Sequence, residues 1–146
     1  MCTIRIVNPA EWIPRIRDLL SANWAETGLD FDFDPDIDLY ARMADLGMLF
    51  AVAAFDGDDI VGYCTVTVMA HPHNKRVTFA SNDALFVHPE YRAGLVPGRV
   101  ILTAQAEARR RGATKFMWHC RAATQLAAMF ERHGYQPVDM VVMKEI

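Results

Sequence analysis

Between Arg76 and Cys120 the chain reads as strand, loop, helix, strand, and this order restricts the fold more than any other stretch. Arg76 to Val87 is an extended run that stops at His88-Pro89, where proline cannot continue a ladder. Glu90 to Pro97 is a loop, Gly98 to Arg111 a helix closed by Gly112, and Lys115 to Cys120 a further strand. Two strands joined through a helix need a long crossover, which sets them parallel in one sheet.

The rest of the chain supplies antiparallel partners. Thr3 to Val7 alternates and is β-branched, a strand pattern. Asn8 caps a helix with Pro9 at its first position, and Trp12, Ile13, Ile16, Leu19, Leu20 and Trp24 recur at helical spacing before Gly28. Pro14 falls early in this helix, where a kink is tolerated. A short helix spans about Pro35 to Leu46 and closes at Gly47. Met48 to Phe55 and Ile60 to Ala70 are strands around an Asp56-Gly57 turn. Thr124 to His133 is a helix ended by Gly134, and Val138 to Met143 is expected to be the last strand. Met129, Met140 and Met143 are expected in the core. The expected class is α+β: a central mixed, mostly antiparallel sheet with helices on both faces.

A chain of 146 residues fits one domain, residues 1–146, and one this size buries roughly 68–70% of its unfolded surface. Its 52% hydrophobic and 23% charged content is globular. A net charge of -3 speaks against a non-specific nucleic-acid binder, so no nucleic-acid partner is expected. Arg109 to Arg111 read as a solvated helix end. Cys2, Cys64 and Cys120 are scattered, which fits a reducing compartment. No signal peptide opens the chain and no apolar run reaches the ~18–20 residues of a membrane span, so a cytoplasmic protein without membrane contact is expected. The histidines do not cluster. The alternating Asp30 to Asp38 has half the spacing of a calcium loop, but Pro35 stands where glycine is needed and Ala41 where Glu closes the loop. No metal is expected.

The stretch LFVHPEYRAGLVPGRVILTAQAEARRRG carries the chemistry. The first turn of a helix presents unpaired N–H groups and a positive dipole end, an anion site. Gly94 and Gly98 let the backbone approach phosphate, and Arg92 and Arg99 can add charge-assisted hydrogen bonds. A pyrophosphate suits this arrangement. The plain alternative is a strand–loop–helix whose glycines only turn the chain.

VHPEYR, the glycines and the apolar-patterned helix resemble motif A of the GNAT acetyltransferase superfamily, and AMFERHGYQPVDMVVMKEI is similar to that family's closing helix, glycine-aromatic turn and final strand. The resemblance covers essentially the whole chain. It implies that acetyl-CoA is the co-substrate, with pantetheine along Leu85, Phe86 and Val87 and pyrophosphate on the loop Arg92, Ala93, Gly94, Leu95, Gly98 and Arg99. It makes the Val87 N–H, near a bulge, the candidate oxyanion donor. Two departures stand out. The glycines fall two and six residues after Arg92 and Pro97 removes a donor; and Phe130, at the edge of the CoA site, occupies the position where the family often has a proton-donating tyrosine. Cys120, Ser81 or a bound water are the alternatives for that proton.

An amine must lose a proton before it attacks. With strict alternation Ser81, Asp83, Leu85 and Val87 share one face, and Asp83, four residues before Val87, is the expected base, directly or through water. The bland alternative is a capping or strand-end Asp. In the family the segment between the first two helices walls the acceptor site; here Asp30, Asp32 and Asp34 would attract a cationic amine, with Trp24, Phe31, Phe33 or Tyr40 packing against it. A loop kept soluble by its aspartates competes with that reading. The expected partner is a small-molecule or peptide amine, and the resemblance allows a homodimer through the last strands. A GNAT-like module that binds CoA or a partner without turnover is the alternative function.

Overall fold

The computed structural model describes residues 1–146. Strand β1 (Thr3–Val7) leads to α1 (Pro9–Trp12), where the Asn8 side chain accepts from the Ala10 N–H and Pro9 opens the helix. Pro14 converts the next turn, Ile13–Ile16, to a 3-10 turn before α2 (Arg17–Thr27). The expected kink is therefore a full turn of tighter helix, since a proline removes the N–H that an α-turn would use. Gly28 ends α2 in the left-handed region at φ 65°. Asp36 caps α3 (Ile37–Asp45) through the Leu39 N–H.

Strands β2 (Leu49–Asp56), β3 (Asp59–His71) and β4 (Asn74–Val87) form an antiparallel meander with β1 outside β2. Helix α4 (Val96–Arg110) then carries the chain over the sheet to β5 (Lys115–Met117), which pairs parallel with β4. Helix α5 (Gln125–Arg132) follows. The order β1-β2-β3-β4-β5 is the mixed, mostly antiparallel sheet expected from the crossover.

Each face of the sheet has its own core. Phe50, Val52, Cys64, Val66 and Ala80 pack against Val96, Val100, Ala104 and Ala108 of α4. On the opposite face Ala51, Tyr63 and Phe86 pack against Trp12, Ile13 and Ile16, with Leu19, Leu20, Ile37 and Tyr40 at the margin. Each fully buried side chain of the Val or Phe type stabilises the fold by about 1.5–3 kcal/mol. No helix is long and apolar enough to cross a membrane.

Two expectations fail at the carboxyl end. Val138 to Met143 forms no strand, and Met140 and Met143 are exposed rather than packed in the core. β-branched residues favour a strand only when a ladder and a covered face receive them. The outer edge here is β5, three residues long.

Candidate active site

The candidate site is the gap where β4 and β5 part. β5 pairs only with Phe79, Ala80 and Ser81, so β4 from Asn82 to Val87 has no strand on its outer side. His88 N donates to Val61 O, which makes Tyr63–Phe86 a hydrogen-bonded pair and Gly62–Val87 and Cys64–Leu85 non-bonded pairs. The N–H and C=O groups of Leu85 and Val87 therefore point outward into the gap. Arg92 Nε donates to Val87 O at 2.6 Å. Two N–H groups and the Leu85 carbonyl remain as an open strand edge.

Asn82 props the gap open. Its carboxamide is buried and takes the place of a peptide group: Nδ2 donates to His119 O at 3.0 Å, and Oδ1 accepts from His119 N at 2.6 Å. The ladder thus continues past β5 through one side chain, which holds the chain at His119 away from β4.

A bulge decides which side chains face which way. Thr65 pairs with Ala84 and Val66 with Asn82, so Asp83 is an extra residue on β4. The alternation slips by one there. Leu85 and Val87 lie on the α4 face, whereas Ala84 and Phe86 lie on the α1–α3 face together with Asp83, which bonds Thr65 and Tyr40. The expectation that Ser81, Asp83, Leu85 and Val87 share a face is corrected accordingly: Ser81 and Asp83 share one, Leu85 and Val87 the other. The bulge itself sits at Asp83, not beside Val87.

Asp83 Oδ2 accepts from Tyr40 Oη at 2.7 Å and from Thr65 Oγ1 at 2.9 Å. Tyr40 is thereby a link from α3 to the bulge. Burial first, then the Asp83 charge and hydrogen bond, push the Tyr40 phenol far above its ordinary range, so it stays a donor at neutral pH. Tyr63 is likewise pushed up, mainly by burial, and donates no proton there; its Oη accepts from Asn23 Nδ2 at 2.6 Å. Burial also raises the thiols of Cys64 and Cys120. Neither cysteine is a ready thiolate. Two donors on Oδ2 leave Asp83 suited to receive a cation at its other oxygen. Ser81 Oγ lies 3.3 Å from His119 Nδ1, on the Asp83 side of the sheet.

The loop after β4 runs through a 3-10 turn, Pro89–Tyr91, to α4, which starts at Val96 with Pro97 in its first turn and no side-chain cap on Leu95. Arg99 N returns to Leu95 O, leaving the N–H groups of Val96 and Gly98 for a ligand. A Cβ built on Gly94 or Gly98 would meet nothing within 4 Å, and neither has a positive φ. Neither backbone strain nor internal packing calls for glycine at these two positions. The space beside both is open to an approaching group. The arginines are less free than the sequence suggests. Arg92 also binds Glu26 Oε1 at 2.8 Å and lies over the Phe86 ring, and Arg99 Nη1 donates to Cys2 O. Ala93 and Leu95 are exposed in this loop.

Phe130 is buried between Trp118 and Tyr135, part of an aromatic stack that starts at Phe116. Trp24 donates Nε1 to Phe31 O and packs against Phe31 and Phe33. Asp30, Asp32 and Asp34 are exposed. Sequence reasoning missed Thr65, Asn82 and His119. Only His119 carried a signal, an imidazole on the strand that the crossover makes the neighbour of Ser81.

The family model described as "Acetyltransferase (GNAT) family" matches residues 13–135. No curated protein matches the chain in sequence. Among solved structures, a predicted acetyltransferase with acetyl-CoA from Clostridium acetobutylicum is similar at TM-score 0.81 and 14% identity, over 99% of this chain and 96% of that one. An aminoglycoside acetyltransferase from an uncultured soil metagenomic sample, in complex with sisomicin, has TM-score 0.74 and 14% identity over 99% and 94%. A ribosomal-protein-alanine N-acetyltransferase from Brucella melitensis biovar Abortus has TM-score 0.74 and 14% identity over 100% and 99%.

Proposed function

The chain belongs to the GNAT acetyltransferase family, and on that premise we propose that it moves an acetyl group from acetyl-CoA to a primary amine of a cationic acceptor. The observation that carries this reading is the pairing of an open strand edge at Leu85 and Val87 with a loop whose glycines the fold itself does not need. The edge would pair with the amide groups of pantetheine. The Val96 and Gly98 N–H groups, at the positive end of α4, would hold the pyrophosphate. A structural neighbour that carries acetyl-CoA supports the same donor.

On the acceptor side, Asp83 would receive the ammonium ion, steadied by Tyr40 and Thr65. The exposed Asp30, Asp32 and Asp34 would draw cations toward it. The Val87 N–H would stabilise the oxyanion that forms when the amine attacks. CoA sulfur, as a thiol of pKa about 8.5, leaves tolerably without an acid, so Phe130 need not do what a tyrosine would. The neighbours act on acceptors as different as an aminoglycoside and a ribosomal-protein alanine, so the fold alone leaves the amine open.

The test is acetyl transfer from acetyl-CoA to 1,4-diaminobutane, lysine amide and sisomicin, read by the mass of the acetylated product. Transfer to at least one amine is expected. A second reading, a CoA-binding module without turnover, draws on Arg92 and Arg99 being engaged within the chain. Slow hydrolysis of acetyl-CoA with no transfer to any of the three would favour it.

A further inference from the structure

We infer that His119 is the base that takes the acceptor's proton, held for that task by Ser81 and Asn82. The inference rests on the acetyl-transfer reading above. His119 is gripped at three points by two consecutive residues of β4. Asn82 binds its N–H and its C=O, and Ser81 Oγ meets its Nδ1. No other histidine is bonded to Ser81 or Asn82; His88, which follows Val87, has its Nδ1 3.8 Å from Glu90 Oε2. His71 and His73 sit at the β3–β4 turn with their rings 5.6 Å apart, and His133 caps the end of α5.

Position and exposure agree with a proton carrier. Residues 81 and 83 share the α1–α3 face, so the His119 ring, bonded to Ser81, lies on the same side of the sheet as Asp83. His119 is exposed, and its Nε2 has no partner in the chain. Ser81, to which the ring is bonded, lies four residues before Leu85, at most about 13 Å along the strand. Asp83 already has two donors on one oxygen, which suits it to hold the cation while a neighbour takes its proton. When Nδ1–H donates to Ser81 Oγ, the lone pair of the imidazole is left on Nε2. Imidazole is the side-chain type best matched to proton transfer near neutral pH. The charged and titratable groups around it are Asp83 on β4, Cys120 and Arg121 next in the chain, and Glu131 on α5, whose charge reaches Cys120.

The acceptor arrives as an ammonium ion. Nε2 takes one proton, and the freed lone pair forms the C–N bond to the acetyl carbon. The C–S bond breaks with its electron pair on sulfur. A second ammonium proton ends on that sulfur, the amide keeps the third, and the imidazolium returns its proton to water.

The experiment compares wild type, His119→Gln and Ser81→Ala with acetyl-CoA and the fastest of the three amines named above. Thermal shift on acetyl-CoA first establishes that each variant folds and binds. His119→Gln should lower kcat about 100-fold, leave the KM for acetyl-CoA unchanged and remove the rising acid limb of the pH profile. Nitrogen spectra of labelled imidazole should show the Nδ1–H tautomer in wild type and the Nε2–H tautomer in Ser81→Ala. Full kcat with an unchanged pH profile in His119→Gln overturns the inference and leaves acetyl transfer standing. An Nε2–H tautomer in wild type overturns it by itself, even if His119→Gln fails to fold. Wild type that binds acetyl-CoA but acetylates none of the three amines removes the transfer reading, and the base with it.

Discussion

Gly98→Ala should make the free protein more stable and its grip on acetyl-CoA weaker, two effects of opposite sign from one methyl group. Gly98 is in the first turn of α4, has no positive φ, and an added Cβ would meet nothing within 4 Å. A glycine replaced by alanine at a compatible conformation gains about 0.4–1 kcal/mol, chiefly by restricting the unfolded chain. For a domain near this size that raises Tm by about 1–4 °C. The same methyl stands where a pyrophosphate would meet the Gly98 N–H. If it weakens binding tenfold, ligand at 100 times the wild-type Kd stabilises by about 1.4 instead of about 2.7 kcal/mol. Differential scanning fluorimetry with and without acetyl-CoA reads both numbers. A lower Tm for the free variant would mean that the fold needs this glycine. An undiminished ligand shift would mean that phosphate does not approach it.

Asp83→Asn should raise the acceptor KM about tenfold or more, the scale of a lost charge-assisted hydrogen bond, while steady-state kinetics show the KM for acetyl-CoA unchanged. Asn82→Ala strands the His119 N–H and C=O and should cost about 1–3 kcal/mol by urea unfolding. Glu107, buried on α4, is held at about 2, below its ordinary 4.5, first by the hydrogen bond from Arg110 and then by Arg111. A carboxyl depressed in the folded state contributes stability above its unfolded pKa and loses it as pH falls through the folded one. The stability advantage of wild type over Glu107→Gln should therefore be full at pH 7 and shrink between pH 4.5 and about 2 in urea melts.

Local signals in the sequence carried most of the fold. Asn8 caps where a cap is needed, Pro14 breaks the helix where its N–H is missing, and Gly28, Gly47, Gly57, Gly112 and Gly134 all take the positive φ that a helix end or hairpin asks for. These features depend on a few adjacent residues. The site depends on pairings between distant ones. Whether Asp83 faces Leu85 or opposes it is set by a bulge against Thr65, and alternation along one strand cannot reveal an extra residue. Asn82 reads as an ordinary strand residue until the register of β5 brings His119 beside it. Motif position says nothing of the stack in which Phe130 packs between Trp118 and Tyr135. The tail from Val138 to Met143 has the composition of a strand, but composition does not provide an edge to pair with.

The central claim is that the free edge of β4 and the first turn of α4 form one acetyl-CoA site. Amide spectra of the nitrogen-labelled protein, recorded while acetyl-CoA is added, test it most directly. Saturable shifts are expected at Leu85, Val87, Val96 and Gly98, with the amides of the Asp30 to Asp34 segment unmoved. Saturable binding that shifts amides elsewhere and leaves these four in place, or no shift at millimolar acetyl-CoA, would contradict it.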